Sequence, residues 1–428
     1  MDGVAAAYPN ADVVNLELGP LDTYMLQNPR DVERVLVSEW SRYRKPQLDD
    51  AITELLGDGL LLGDGEEWQR QRDLANPAFS GRRVGTMTDA IAAHAEALVD
   101  GWEAGEVVNI QLEMAAVTVR IIVNAMLGVD PTDEQIRVVQ ENLEPLGARF
   151  EPDPIRFAIP EWAPTRENRD FDAAVERLET VIDEFVEQRR GTQYDPAADP
   201  GGTGSDEPMD FLSILLRAQD RGEQTDRQLR DEMMTMLLAG HDTTALTLTY
   251  AFYLLSEHPE VQAGVYAELD DVLGDEPPSM RDVGRMEYTD RVLREAMRLY
   301  PPVYTLFREP LVDVKLGGYR VPEGSTVMLP QWVLHRSPRY WEEPTTFDPD
   351  RFLPERARGR PRFAYFPFGG GPRHCIGKQL SLLEAKLILG AVSREYLPTY
   401  EGDEPFDLRG SLTMHPRQPV TMRLEPRT

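Results

Sequence analysis

The stretch Phe363–Leu380, "FAYFPFGGGPRHCIGKQL", holds the single cysteine of a 428-residue chain. Three consecutive glycines, Gly369–Gly371, stand just ahead of Cys375 and leave the backbone free to turn tightly. Beyond it, Ile376, Leu380, Leu383 and Leu387 fall on one helical face, which predicts a helix with the cysteine at its N-terminus. The positive end of a helix dipole lowers a thiol pKa. One cysteine excludes an internal disulfide and an all-cysteine zinc site. A buried structural cysteine beside a glycine loop is the plainer reading of such a residue, and the surrounding positions must decide.

Composition sets the frame. Hydrophobic residues make up 41% of the chain and aromatics 8%, as expected of a globular protein with a large core. The formal net charge is −29, from 74 acidic and 45 basic residues, and such acidity argues against nucleic-acid binding because phosphates would be repelled. The carboxylates are dispersed rather than gathered in a tail, and lysine occurs only at 45, 315, 378 and 386. An acidic surface with few lysines resembles proteins of salt-loving microbes; an acidic mesophilic protein is the alternative. The N-terminal "MDGVAAAYPNADVVNLELG" lacks the basic start and apolar run of a secretory signal. No later stretch reads as a membrane span, so the expectation is a soluble, cytoplasmic protein without a transmembrane anchor.

Helical periodicity dominates, as in Asp89–Ala104 and Asp172–Arg190. Gln193–Asp210, "QYDPAADPGGTGSDEPMD", reads as a mobile surface loop. A long helical pattern begins near Thr225, where "TDRQ" forms a capping box. Strand-like alternation comes late, in "VDVKLGGYRVPEGSTVMLP" and "VTMRLEP". The expected fold class is mainly α with a small β portion, in a single domain over 1–428.

Phe368, Gly371, Arg373, Cys375 and Gly377 satisfy F-x-x-G-x-R-x-C-x-G at every fixed position. This resembles the haem-binding signature of the cytochrome P-450 family. The resemblance implies a haem b cofactor with Cys375 as axial ligand of the iron, Phe368 shielding the sulfur, and Arg373 pairing with a propionate. Gly369 belongs to the same turn, whose amides would point toward the sulfur. The family places the haem between a long distal helix and the proximal helix that follows the cysteine.

Three further sets of residues carry the resemblance. Ala239-Gly240-His241-Asp242-Thr243-Thr244 is similar to the oxygen-activation segment of the distal helix. There Ala239 and Gly240 would lie against the cofactor, while Asp242 and Thr243 deliver protons to the oxygen being activated. Glycine and threonine weaken a helix, so a local opening is expected; His241 is read as a non-ligand. Glu295 and Arg298 in "REAMRLYPPV", with Arg351 in "FDPDRF", match a buried structural triad of the family. Trp68 and Arg72, one helical turn apart, and Arg308 in "LFREP" match propionate-binding positions.

The activity implied is a haem-thiolate monooxygenase using O2 and electrons from an external ferredoxin or flavodoxin-type system. By family position Leu60–Leu62, Met236, Val303–Leu306 and Ser411–Thr413 would line the pocket, with Leu61, Met236, Val303, Leu306 and Leu412 foremost. They are mostly apolar, which suggests a lipophilic substrate such as a fatty acid, terpenoid or steroid. The redox partner is expected over the cysteine side, on a positive patch of Lys378, Lys386 and Arg70. The rival readings are a peroxide-using or isomerising haem-thiolate enzyme, and a non-enzymatic haem sensor or electron carrier.

Overall fold

The computed structural model describes residues 1–18, 21–46, 50–150, 163, 165–191, 210–402 and 407–427. The loop expected over 193–210 lies outside them apart from Asp210. That residue caps the helix Phe211–Asp220, its Oδ1 accepting from Ser213 N at 2.8 Å. The chain forms two units, one of Met1–Leu48 with Arg291–Lys378, the other of Asp49–Asp290 with Gln379–Thr428.

The first unit contains most of the β-structure. Its five-stranded sheet runs in the order Val13–Leu18, Leu21–Leu26, Thr326–Leu329, Leu306–Pro310, Tyr43–Arg44. Every pairing is antiparallel except that of Leu21–Leu26 with Thr326–Leu329. The hairpin read from "VKLGGYRV" is present as Val314–Leu316 and Tyr319–Val321. Gly317 and Gly318 supply its two positive φ angles, 54° and 87°, as a two-residue turn of matching twist requires. The apolar core joins Leu26, Val35, Leu36, Val327 and Leu329 to Phe363 and Phe366. The segment leading to Cys375 is thereby anchored by its own aromatic residues.

The second unit is mainly helical. Its long helix, Asp226–Glu257, starts at the expected capping box: Gln228 N donates to Thr225 Oγ1 at 3.2 Å, and Thr225 N to Gln228 Oε1 at 2.9 Å. The predicted helix over 89–104 is Thr88–Asp100, and that over 172–190 lies within Arg166–Gly191. One reading of the sequence needs correction. The helix Ile110–Leu127 is long and apolar enough to cross a membrane, although no such stretch was expected. It is 67% buried and packs its apolar face against the long helix, with half-buried Glu113, Arg120 and Asn124 along the opposite side. Small sheets complete this unit: Val107–Asn109, Thr421–Pro426 and Tyr396–Tyr400, and the hairpin Leu408–Gly410 with Met414–Pro416.

Candidate active site

The cysteine loop is a chain of local hydrogen bonds. Gly369 N donates to Phe366 O at 2.8 Å, His374 N to Gly371 O at 3.2 Å, and Cys375 N back to Phe368 O at 2.9 Å. The last of these folds Cys375 over Phe368 and leaves the cysteine exposed. Two glycines are required. Gly369 and Gly371 have φ of 68° and 67°, and a Cβ on Gly371 would lie 1.8 Å from the Leu36 carbonyl oxygen. Arg373 closes the short 3₁₀ turn Gly371–Arg373, half-buried. The expected helix begins at Lys378, so Ile376 and Gly377 form a turn between it and the cysteine.

Glu295, Arg298 and Arg351 come together as one buried ionic group. Arg298 donates from Nε to Glu295 Oε2 at 2.7 Å and from Nη2 to Oε1 at 2.8 Å. Arg351 Nε reaches Glu295 Oε1 at 3.2 Å, and Asp348 N donates to the same oxygen at 3.0 Å. Arg298 Nη1 also donates to the carbonyls of His335 and Pro344, at 2.8 and 2.6 Å. His335 was not singled out in the sequence, yet it continues the connection. Its Nε2 accepts from Phe366 N at 3.0 Å, three residues before Gly369. Burial, reinforced by the nearby Arg298 charge, pushes its pKa down to about 3, so the ring is neutral and keeps this acceptor lone pair. The triad, His335 and the cysteine loop thus form one hydrogen-bonded series within the first unit. Arg308 is buried on its strand, with Nη1 donating to Phe307 O at 2.7 Å, and Val303 and Leu306 are partly exposed.

In the second unit the long helix is uninterrupted through Ala239–Thr244, so the expected opening is not present as a break. A milder competition replaces it: Thr243 Oγ1 donates to Ala239 O at 3.2 Å, one turn back, and Thr247 Oγ1 to Thr243 O at 2.8 Å. Gly240 is explained by packing, since a Cβ there would stand 2.9 Å from Ile122. His241 is fully buried, its Nδ1 bonded to Leu237 O, and burial lowers its pKa. Asp242 accepts from Thr413 Oγ1 at 2.7 Å. Burial raises its pKa, but the neighbouring His415 and the Thr413 hydroxyl outweigh this and the net shift is downward. Thr413 and His415 also escaped the sequence reading as partners of Asp242. No local signal could reveal them, because they lie on the far hairpin Leu408–Gly410/Met414–Pro416 and the residues just ahead of its second strand.

Trp68 and Arg72 are both buried on the helix Gly65–Ala75, as their spacing requires. Met236 is buried, whereas Leu61 and Leu412 are each 42% exposed. The expected positive patch needs revision. Lys386 Nζ lies 3.0 Å from Asp290 with the side chain only 13% exposed, and Arg70 pairs with Glu67 at 2.5 Å. Buried Ala385 and Leu387 flank Lys386 and carry it inward, whereas Lys378 and the Glu67-paired Arg70 stay exposed.

Comparison with known proteins agrees with this geometry. The sequence model of the family described as Cytochrome P450 matches residues 6–421, across both units. Cyclooctatin synthase of Streptomyces melanosporofaciens is 36% identical over 396 residues, 91% of this chain and 83% of that protein. Cyclooctat-9-en-7-ol 5-monooxygenase of the same organism is 33% identical over 92% of this chain and 84% of that one. Pentalenene oxygenase of Streptomyces avermitilis is 30% identical, with 98% and 91% covered. The crystal structure of the cytochrome P450DA heme domain superposes with a TM-score of 0.84 at 28% identity, over 100% of this chain and 92% of that one. The chain belongs to the cytochrome P450 family and is a haem-dependent monooxygenase that uses O2.

Proposed function

We propose that Cys375 supplies the axial thiolate to haem b and that the enzyme hydroxylates a cyclic terpenoid. The observation that carries the first part is the loop geometry: the single cysteine, exposed, is held by its own amide on a turn that tolerates no side chain at Gly371. The donors also fit the group. A soft thiolate suits iron, and the guanidinium groups of Arg72, Arg308 and Arg373 suit the two haem carboxylates. Bound there, haem supplies the activation of O2 and the transfer of one oxygen atom to a C–H bond.

The remaining work belongs to the chain. Phe368 screens the sulfur from water, and Gly369 and Gly377 let the backbone approach it. With haem bound, Trp68, Arg72, Arg308 and Arg373 would hold its carboxylates. Ala239 and Gly240 present a small surface on the long helix, and Thr243 positions a proton at its hydroxyl with Asp242 beside it in sequence. Thr243 can release Ala239 O cheaply, because the 3.2 Å bond is long. Glu295, Arg298 and Arg351 set the cysteine loop through His335 rather than taking part in chemistry.

The pocket positions Leu61, Met236, Val303, Leu306 and Leu412 are apolar, and exposed apolar side chains such as Leu61 and Leu412 are natural ligand contacts. Two of the relatives are named for oxygenation of pentalenene and of cyclooctat-9-en-7-ol, which favours a cyclic terpenoid over a fatty acid or steroid. We place the enzyme in the cytoplasm, as one functional domain reduced by a ferredoxin or flavodoxin-type partner. The dispersed charge of −29 suits a high-salt habitat. The test has two arms. Cys375→Ser should abolish the thiolate signature of the reduced CO complex. A panel of cyclic terpenoids, fatty acids and steroids should shift the haem spin state, with hydroxylated product formed, only for terpenoids; turnover of a fatty acid alone would reject that substrate class.

A further inference from the structure

Asp242 belongs to a hydrogen-bonded series that leaves the long helix. Thr413 Oγ1 lies 2.7 Å from Asp242 Oδ2 and 2.8 Å from His415 Nε2, and His415 Nε2 is itself 3.4 Å from Asp242 Oδ2. On the other side of the ring, Gln111 Nε2 is 3.3 Å from His415 Nδ1. Proton direction follows from donor chemistry. A carboxylate only accepts, so the one hydroxyl proton of Thr413 points to Asp242. Thr413 must then accept from His415 Nε2–H, which leaves Nδ1 of the neutral ring to accept from the Gln111 amide. If the ring gains a second proton, rotation of that amide presents its oxygen instead.

The series is held in place. Tyr250, eight residues beyond Asp242, donates from its buried hydroxyl to Met414 O, between Thr413 and His415. Ser411 N donates to Thr413 O at 2.9 Å, and Ser411 Oγ to Gly147 O at 2.8 Å. Asp242 and His415 side chains are each 16% exposed, so water reaches the ring edge without filling the site. Among the described residues, His241 and, across the strand pair, Arg409 also face His415.

We propose that His415, acting through the Thr413 hydroxyl, reloads Asp242 with protons during oxygen activation. The proton on imidazolium Nε2 passes to Thr413 Oγ1 while the hydroxyl proton passes to Asp242 Oδ2. Imidazole, hydroxyl and carboxylic acid replace imidazolium, hydroxyl and carboxylate, and the ring recovers its proton from solvent. A carboxyl whose pKa is held down stores no proton of its own at neutral pH, and histidine is the side chain suited to supply one. His415 and Thr413 are positioning residues for Asp242, and the inference rests on the proton-delivery role proposed for Asp242 and Thr243.

The coupling is read first without turnover. In the ¹⁵N-histidine-labelled, haem-loaded protein as its reduced CO complex, His415→Gln identifies one of the six histidine signals. Asp242→Asn and Thr413→Val should each displace that signal at fixed pH, because the hydrogen bond at His415 Nε2 changes when the hydroxyl loses its acceptor or is removed. A signal unmoved in both variants overturns the relay. In turnover, His415→Gln should keep substrate binding but lower product per electron consumed about tenfold, with an enlarged solvent isotope effect, and Thr413→Val should lower the same ratio at saturating substrate whatever it does to affinity. Thr413→Ser should restore the ratio, which a merely structural role would not require. Loss in Asp242→Asn with normal His415→Gln and Thr413→Val would reject the relay and leave the Asp242 role standing. A silent Asp242→Asn would reject both. If His415→Gln fails to load haem, the contrast between Thr413→Val and Thr413→Ser decides.

Discussion

Glu295 and Arg298 form a two-pronged ion pair at 2.7 and 2.8 Å with both side chains wholly removed from solvent. Spacing of i and i+3 alone predicts a surface contact worth little. Burial changes its energetics: the partners cannot be separated without stranding a charge.

Glu295→Ala leaves Arg298 and Arg351 without their anion, and one-sided loss of a buried pair costs about 3–5 kcal/mol. The expected product is haem-poor or insoluble protein, because the His335 connection to Phe366 starts from Arg298. Haem content per chain and the thermal midpoint measure it. Fully loaded protein of parental stability would show the network to be dispensable.

The glycines of the cysteine loop separate by geometry. Gly371→Ala would drive a methyl into the Leu36 carbonyl and also strain a φ of 67°, so the loop must move. Gly369→Ala meets only Leu306 Cδ1 at 3.6 Å and carries backbone strain alone, about 1–3 kcal/mol. Gly371→Ala should lose the thiolate CO signature, and Gly369→Ala should keep it with reduced stability. Equal behaviour of the two variants would refute this steric account.

These contrasts mark what the sequence made legible. Cys375, the glycines and the downstream helix are contiguous, so their relation is written in order along the chain. The Thr225 capping box and the Gly317–Gly318 turn are local for the same reason. His335 acts on Phe366 across 31 residues, and Thr413 on Asp242 across 171, and no periodicity records such distances. Lys386 looked like a surface cation because its partner Asp290 arrives only on folding. Ile110–Leu127 escaped notice since interior polar residues mask how fully it is buried.

Lys378 and Lys386 therefore predict different outcomes. Lys378 is exposed, with Nζ 5.7 Å from the Phe368 ring centroid. Lys378→Glu should slow reduction by an acidic redox partner several-fold while dithionite reduction stays normal. The difference should shrink near 1 M salt, where the screening length is about 3 Å. Lys386→Glu places like charge beside Asp290 and should lower the thermal midpoint instead. Unchanged partner-driven rates for Lys378→Glu at low salt would move the docking site elsewhere.

Glu232 gives a pH prediction. It is 3% exposed on the long helix, accepts from the Leu60 backbone, and sits beside Asp231, whose Oδ2 accepts from Asp58 N at 3.1 Å. A Cβ on Gly57 would overlap the Asp231 carboxylate, and one on Gly59 would stand 2.5 Å from Thr235 Oγ1, so the segment before Leu61 lies directly on the helix. Burial pushes the Glu232 carboxyl up from 4.5 to about 7, and the Asp231 and Glu67 charges add to it. The folded protein then keeps a proton that the unfolded chain has already lost between these values. Stability falls as pH rises through that window, by about 3 kcal/mol in all, and the cost persists above it. Glu232→Gln removes the ionisation while keeping a hydrogen-bonding side chain. Its thermal midpoint should match the parent near pH 4.5 and exceed it at pH 8. Parallel midpoints across that range would show that Glu232 ionises freely and that the segment is held by other contacts.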